Sequence, residues 1–265
     1  MAELVISDSN AHQHMTYSNP TSGTWAKGLK PRDYSTHPVG YSAHAPAFDL
    51  DLIPESEWQS RLDAQIAAKA QLSDIRNRGM GGSPIPSRDQ NGKGYCWAHS
   101  GVSANLLVRA TNNQPYADLS AYAVACIIKG YQDEGGWGLE GVEWEAKFGC
   151  PTSEFWPQQS MKRANDNAAM RENAKLHQIQ EWMDGEPRNK QQLVTCLLLG
   201  IPVVADFNWW SHSVCAIDVV KLSPFTIRIW NSWGDSWSEN GTGLLQGSKA
   251  IPDGMVMPRV VAASL

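Results

Sequence analysis

From Cys96 the run "CWAHSGVSANLLVRATNN" carries apolar residues on more than one face, a pattern that predicts a largely buried helix closing at Asn112 and Asn113. Further helices are predicted over "DLSAYAVACIIKG", with Ser120 as cap and Gly130 as stop, over "LEGVEWEAKFG", ended by Gly149 and Pro151, and over "NKQQLVTCLLLG", closed by Gly200 and Pro202. A more polar helix is expected over "ANDNAAMRENAKLHQIQEWMDG". Another is expected in "DLIPESEWQSRLDAQIAAKAQL" from Glu55 onward, until "NRGMGGSPIPSRD" breaks it. Beyond Gly200 the period changes. "IPVVADF", "HSVCAIDVVK", "FTIRIWN" and "GTGLLQG" are β-branched and alternating, and they predict strands. Helices first and strands second predict an α+β fold of two subdomains with a cleft between them.

Residues 1–46 follow neither period. They are rich in Ser, Thr, Pro, Gly, Asn and His, and read as an extended N-terminal arm whose aromatics, Tyr17, Trp25, Tyr34 and Tyr41, would pack on something. The remaining 47–265 can bury a full core, given 42% hydrophobic residues and 12 Trp in the chain. With 22 Lys+Arg against 27 Asp+Glu and no long run of either sign, neither a nucleic acid nor an anionic membrane is an expected partner. A small molecule, a peptide or a protein is. No basic start followed by an apolar block opens the chain, and no apolar run approaches the ~20 residues of a membrane span, so the expected location is the compartment of synthesis. Cys96, Cys126, Cys150, Cys196 and Cys215 lie far apart and are odd in number, a poor disulfide framework and a poor zinc site. Free thiols in a reducing compartment, without metal or cofactor, are expected.

One thiol stands apart. Cys96 follows the glycine-broken "QNGKG" and opens the predicted helix, where the helix N-terminus favours a thiolate. An imidazole partner must come from elsewhere. His12, His14, His37 and His44 are in the arm, His99 shares the Cys96 helix, and His177 sits in a polar segment. His212 remains, in "NWWSHSVCAIDVV" at the start of an apolar strand. A base needs an orienting group, and Asn231, at the end of the next strand, would return beside His212 if the two strands are antiparallel neighbours.

"QNGKGYCWAHS" resembles the active-site segment of papain-like cysteine peptidases, in which a Gln precedes by six residues a Cys-Trp-Ala that starts the central helix. "NSWGDSWSENG" resembles the family's Asn-Ser-Trp-Gly segment, and "SHSVCAIDV" its histidine strand. "DEGGWG" looks like its Gly-Gly substrate strand. The resemblance covers about 53–247 and implies a helical left subdomain and a β-barrel-like right one, with Cys96 and His212 on facing walls. It further implies roles: Cys96 as nucleophile, His212 as base and then acid, Asn231 as orienter under the shield of Trp233, and Gln90 with the Cys96 backbone N–H as oxyanion hole. Gly135 and Gly136 would pair with an extended peptide substrate. Trp210, with Trp209, would line a substrate pocket or pack at the subdomain interface.

Some features depart from the family. The Cys that usually precedes the nucleophile is replaced by "GKGY", Asp133 and Glu134 stand before Gly135, and Ser211 precedes His212 where Asp or Asn is common. The arm is short for an inhibitory proregion and lacks its long helical pattern, which implies either an enzyme active as made or control by a partner. Two functions are therefore expected in competition. The first is a peptidase working through a Cys96 acyl-enzyme. The second is a papain-fold binding or structural component of a larger assembly, such as a virus particle, with the arm laced onto neighbours.

Overall fold

In a computed structural model the described residues are 3–15, 26–42, 46–79 and 83–263; Tyr17, Trp25 and His44 lie outside them. In chain order the elements are β1 (Val5–Ile6), α1 (Ala11–Met15), α2 (Trp58–Ala67), α3 (Leu72–Arg78), α4 (Cys96–Thr111), α5 (Ala121–Ile128), α6 (Gly138–Phe148), α7 (Ala168–Lys175), β2 (Ile179–Gly185), α8 (Lys190–Leu198), β3 (Val203–Phe207), β4 (His212–Leu222), β5 (Phe225–Trp230), β6 (Thr242–Gln246) and β7 (Gly254–Val261). The strands form one sheet in the order β1-β6-β5-β4-β3-β7-β2. All neighbours are antiparallel except β1 on β6.

Helix α4 is buried from Cys96 to Ala110, as its all-round apolar sequence requires. It lies against α3, α5 and α6 on one side and β3, β4 and β7 on the other. The core accordingly divides in two. Trp97, Leu106, Tyr122, Val142 and Trp156 fill the helical part, and Leu193, Phe207, Ile227, Ile229 and Leu245 fill the part between the sheet and α2 and α8. Most predicted elements stand where the pattern put them, and Gly130 and Gly149 close their helices at positive φ (59° and 78°).

Three differences have physical causes. The predicted helix from Glu55 is two helices, broken where Lys69 takes φ 50°. The polar helix expected over residues 164–185 ends at Lys175, and residues 179–185 form β2, whose pairing with β7 buries Trp182, Met183 and Asp184. Tertiary pairing overrides local helix preference there. Finally, the described parts of the N-terminal arm pack on their own chain. β1 extends the free edge of β6, and residues 26–30 cross to the helical side.

Glu145 of α6 is buried. Asn105 Nδ2 donates to its Oε2 at 2.9 Å, while Oε1 has no partner. Burial pushes this carboxyl up to about 8 from an ordinary 4.5. Because the folded state holds the proton more tightly than the unfolded chain, stability is full below about pH 4.5 and falls as pH rises towards 8. In urea unfolding, the stability advantage of the full chain over Glu145→Gln should therefore shrink between pH 5 and pH 8 by on the order of a few kcal/mol, since the buried histidines that titrate in the opposite sense, His99, His177 and His212, are common to both. An advantage that stays the same at both pH values would contradict the assignment.

Candidate active site

Cys96 is the first residue of α4, and the backbone N–H groups of Ser213, Gly28 and Trp97 reach its thiol. β4 is held against α4 by a 2.8 Å hydrogen bond between the hydroxyls of Ser100 and Ser213, the residue after His212. The Cys96 thiol thus lies against Ser213, the residue that follows His212, where the central helix abuts the central strand.

The antiparallel pairing of β4 with β5, Cys215 opposite Trp230, brings Asn231 to His212. Asn231 Oδ1 accepts from the Ser232 backbone N–H at 2.8 Å and lies 2.8 Å from His212 Nε2. An oxygen that already accepts one bond fixes Nε2 as the protonated ring nitrogen. Nδ1 is left with its lone pair, buried and without a partner. The ring stacks on Trp233 at 4.5 Å and meets the edge of Trp210 at 4.9 Å. Trp210 is itself buried, and its indole N–H donates to the His14 carbonyl, so it packs between His212 and the N-terminal segment. Gln90 is oriented by Ser232, whose hydroxyl donates to Oε1 at 2.6 Å, leaving Nε2 to face the cleft.

The cleft is filled by the chain's own backbone. The Ala26 carbonyl accepts from Gln90 Nε2 at 3.1 Å and from Trp233 Nε1 at 3.0 Å. The Gly136 N–H donates to the Gly28 carbonyl and the Lys30 N–H to the Gly136 carbonyl, each at 2.9 Å, while the Leu29 N–H donates to Ser211. This strap approaches so closely that only glycine fits: a Cβ on Gly28 would lie 1.9 Å from the Gly94 carbonyl oxygen, and one on Gly135 would lie 2.3 Å from that of Gly28. Beyond the cleft, Arg32 anchors the strap through two 2.8 Å hydrogen bonds to the fully buried carboxylate of Asp184. On the other side Lys27 Nζ donates to the carbonyls of His14 and Met15. Nothing in the unpatterned arm sequence signals this contact.

Covering the site sets its electrostatics. Burial pushes the Cys96 thiol up to about 12 despite the three N–H groups, and burial pulls His212 down to about 3 despite its bond to Asn231. Under the strap both groups are neutral. A second buried acid lies close by on β3, one that the pattern of the sequence did not single out. Asp206 accepts from the Gly138 N–H at 2.9 Å, and burial raises it to about 6. All five cysteines are free. Among the described residues no cluster of three His, Cys, Asp or Glu could hold a metal ion, and no helix is long and apolar enough to cross a membrane.

No family model and no curated protein matches the chain. Solved structures do. Xylellain, a cysteine protease from Xylella fastidiosa, superposes with a TM-score of 0.63 at 17% identity, over 90% of this chain and 96% of that one. Digestive procathepsin L 3 of Tenebrio molitor gives 0.56 at 13% identity, over 77% and 90%. A Carica candamarcensis cysteine protease in complex with E-64 gives 0.50 at 18%, over 68% and 94%. The chain has the papain-like cysteine protease fold.

The steric limit at residue 28 gives a direct expectation. Gly28→Val in the full chain should displace the strap and, by returning water to the thiol, speed alkylation of Cys96 by iodoacetamide roughly tenfold or more, measured by peptide mass spectrometry. An unchanged rate would mean that the strap does not control access.

Proposed function

We propose that the chain is a cysteine peptidase that cuts peptide bonds through an acyl-enzyme on Cys96, and that residues 1–46 keep the domain of residues 47–265 latent until the strap leaves. One observation carries this reading: Gly136 and Gln90 already hold an extended peptide backbone across Cys96 and beside His212. A groove that grips the strap by main-chain bonds can grip another extended peptide in the same way.

With the strap gone, water and the helix N-terminus stabilise a thiolate, and His212 Nδ1 takes the thiol proton. The thiolate adds to the substrate carbonyl carbon and forms the C–S bond. The resulting oxyanion is held by Gln90 Nε2–H, now released from Ala26, together with the Cys96 backbone N–H. The C–N bond then breaks, and the proton on His212 passes to the leaving amine. Water, deprotonated by the same ring, attacks the thioester, frees the acid and restores the thiol. Asn231 keeps Nε2 protonated and the ring aligned throughout, and Trp233 shields that bond from water. The five free thiols suit work in a reducing compartment. A papain-fold binding component would leave this site idle, and no observation favours that role.

Treatment of the Gly28→Val full chain with a peptidyl vinyl sulfone should add one probe mass at Cys96 and none at the other cysteines. His212→Ala in that background should slow the reaction by roughly 100-fold or more, and Cys96→Ala should abolish it. Slow, equal labelling of all five cysteines would refute the peptidase reading.

A further inference from the structure

Asp206 is a buried acid for which the scheme above has no use. It sits on β3 opposite Ser213, the residue that follows His212. Its Oδ2 accepts from Gly138, while its Oδ1 is buried with no partner. The residue as a whole is 7% exposed. An isolated buried carboxylate is costly, and an apolar residue would fill the same place without that cost.

Two glycines pack closely around it, and the remaining side is closed by the strap segment. A Cβ on Gly138 would lie 2.4 Å from Val204 Cγ1 and 3.1 Å from Asp206 Oδ1, so that side is filled, whereas a Cβ on Gly254 would lie 3.4 Å from Asp206 Oδ2 and 3.2 Å from the hydroxyl of Tyr34, which leaves with the strap. Tyr34 and Arg32, the charged and polar groups nearest on the remaining side, both belong to the strap segment. The field of Arg32 favours the Asp206 carboxylate, yet the hydrogen bonds of that guanidinium go to Asp184 and to the carbonyls of His37 and Pro38. Glu140 adds further negative potential at the same end of the cleft. The strap carries cations matched to acids at this end: Lys30 is 2.5 Å from Glu134 and Arg32 is on Asp184. When the strap leaves, its cations leave the cleft, and Asp206 keeps only the Gly138 N–H and the nearby Ser213 hydroxyl.

We infer that Asp206 is a specificity-determining residue, selecting peptide substrates that place a lysine or arginine side chain in the space beside Gly254 that Tyr34 holds while the strap is in place. The inference rests on the peptidase reading and names its substrate class. The cation supplies the partner that Oδ1 lacks, and a charge-assisted bond in a desolvated recess discriminates strongly against an apolar side chain of equal length.

The test uses the Gly28→Val full chain and pairs of peptidyl vinyl sulfones that differ only by lysine or norleucine at each of the positions preceding the reactive group. The rate of Cys96 modification is followed by mass spectrometry. At one position the lysine probe should react roughly tenfold faster or more. Asp206→Asn should bring the two rates to within about twofold, and Asp206→Glu should keep the lysine preference. Each ratio is measured within one protein, so a partly folded variant slows both probes alike, and the parent ratio tests the idea even if a variant fails to fold. Norleucine equal to or faster than lysine at every position, or a lysine preference that survives Asp206→Asn, overturns the inference alone. No modification of Cys96 by any probe, with iodoacetamide still reaching it, overturns the peptidase reading and the inference with it.

Discussion

The packing of the α4 N-terminus against the start of β4 is the constraint on which the rest of this site depends. A helix buried on all faces cannot slide or tilt without opening its core, and β4 is locked between β3 and β5 at the centre of the sheet. Their contact, tied by Ser100 and Ser213, puts the Cys96 thiol against the residue that follows His212. The register of β5 then fixes Asn231, and Asn231 fixes the tautomer of His212. Each of these steps is a backbone consequence of the one before.

The strap uses the same construction for the opposite purpose. It meets the cleft through main-chain bonds to Gly136 and through the side chains of Gln90 and Trp233, the groups that a bound peptide would use. Excluding water turns a pair that could ionise into a neutral thiol and a neutral imidazole. The hold is reinforced at a distance, because breaking the buried Arg32–Asp184 pair by removing one partner costs roughly 3–5 kcal/mol. The segment that covers the site thus carries little apolar surface in its own sequence.

That contrast explains what could be read in the sequence. Cys96, His212 and Asn231 were singled out because chemistry restricts their types and helix and strand periods place them, and Gln90 through the family resemblance. Gly135 and Gly136 were legible through the family resemblance, and close approach of the strap supplies the physical reason for glycine there. The strap was not legible. Its partners in the cleft lie from 64 to 207 residues away, and backbone hydrogen bonds leave no trace in side-chain pattern. β2 was misread as helix because its pairing with β7 is equally remote, and β7 itself, carrying Pro258, gives a weak strand signal. Asp206 was hidden inside a strand that reads correctly as apolar, where a single acid looks like an outward-facing residue until burial is known.

The central claim is that residues 26–30 occupy the groove in which a peptide is to be cut. A crystal structure of the Gly28→Val chain bearing a peptidyl vinyl sulfone addresses it most directly. The account predicts a covalent bond to Cys96 Sγ, inhibitor backbone bonded to the Gly136 N–H and carbonyl in place of Gly28 and Lys30, Gln90 Nε2 free of Ala26, and the strap displaced. A probe bound elsewhere with the strap still lying across Cys96 would contradict it.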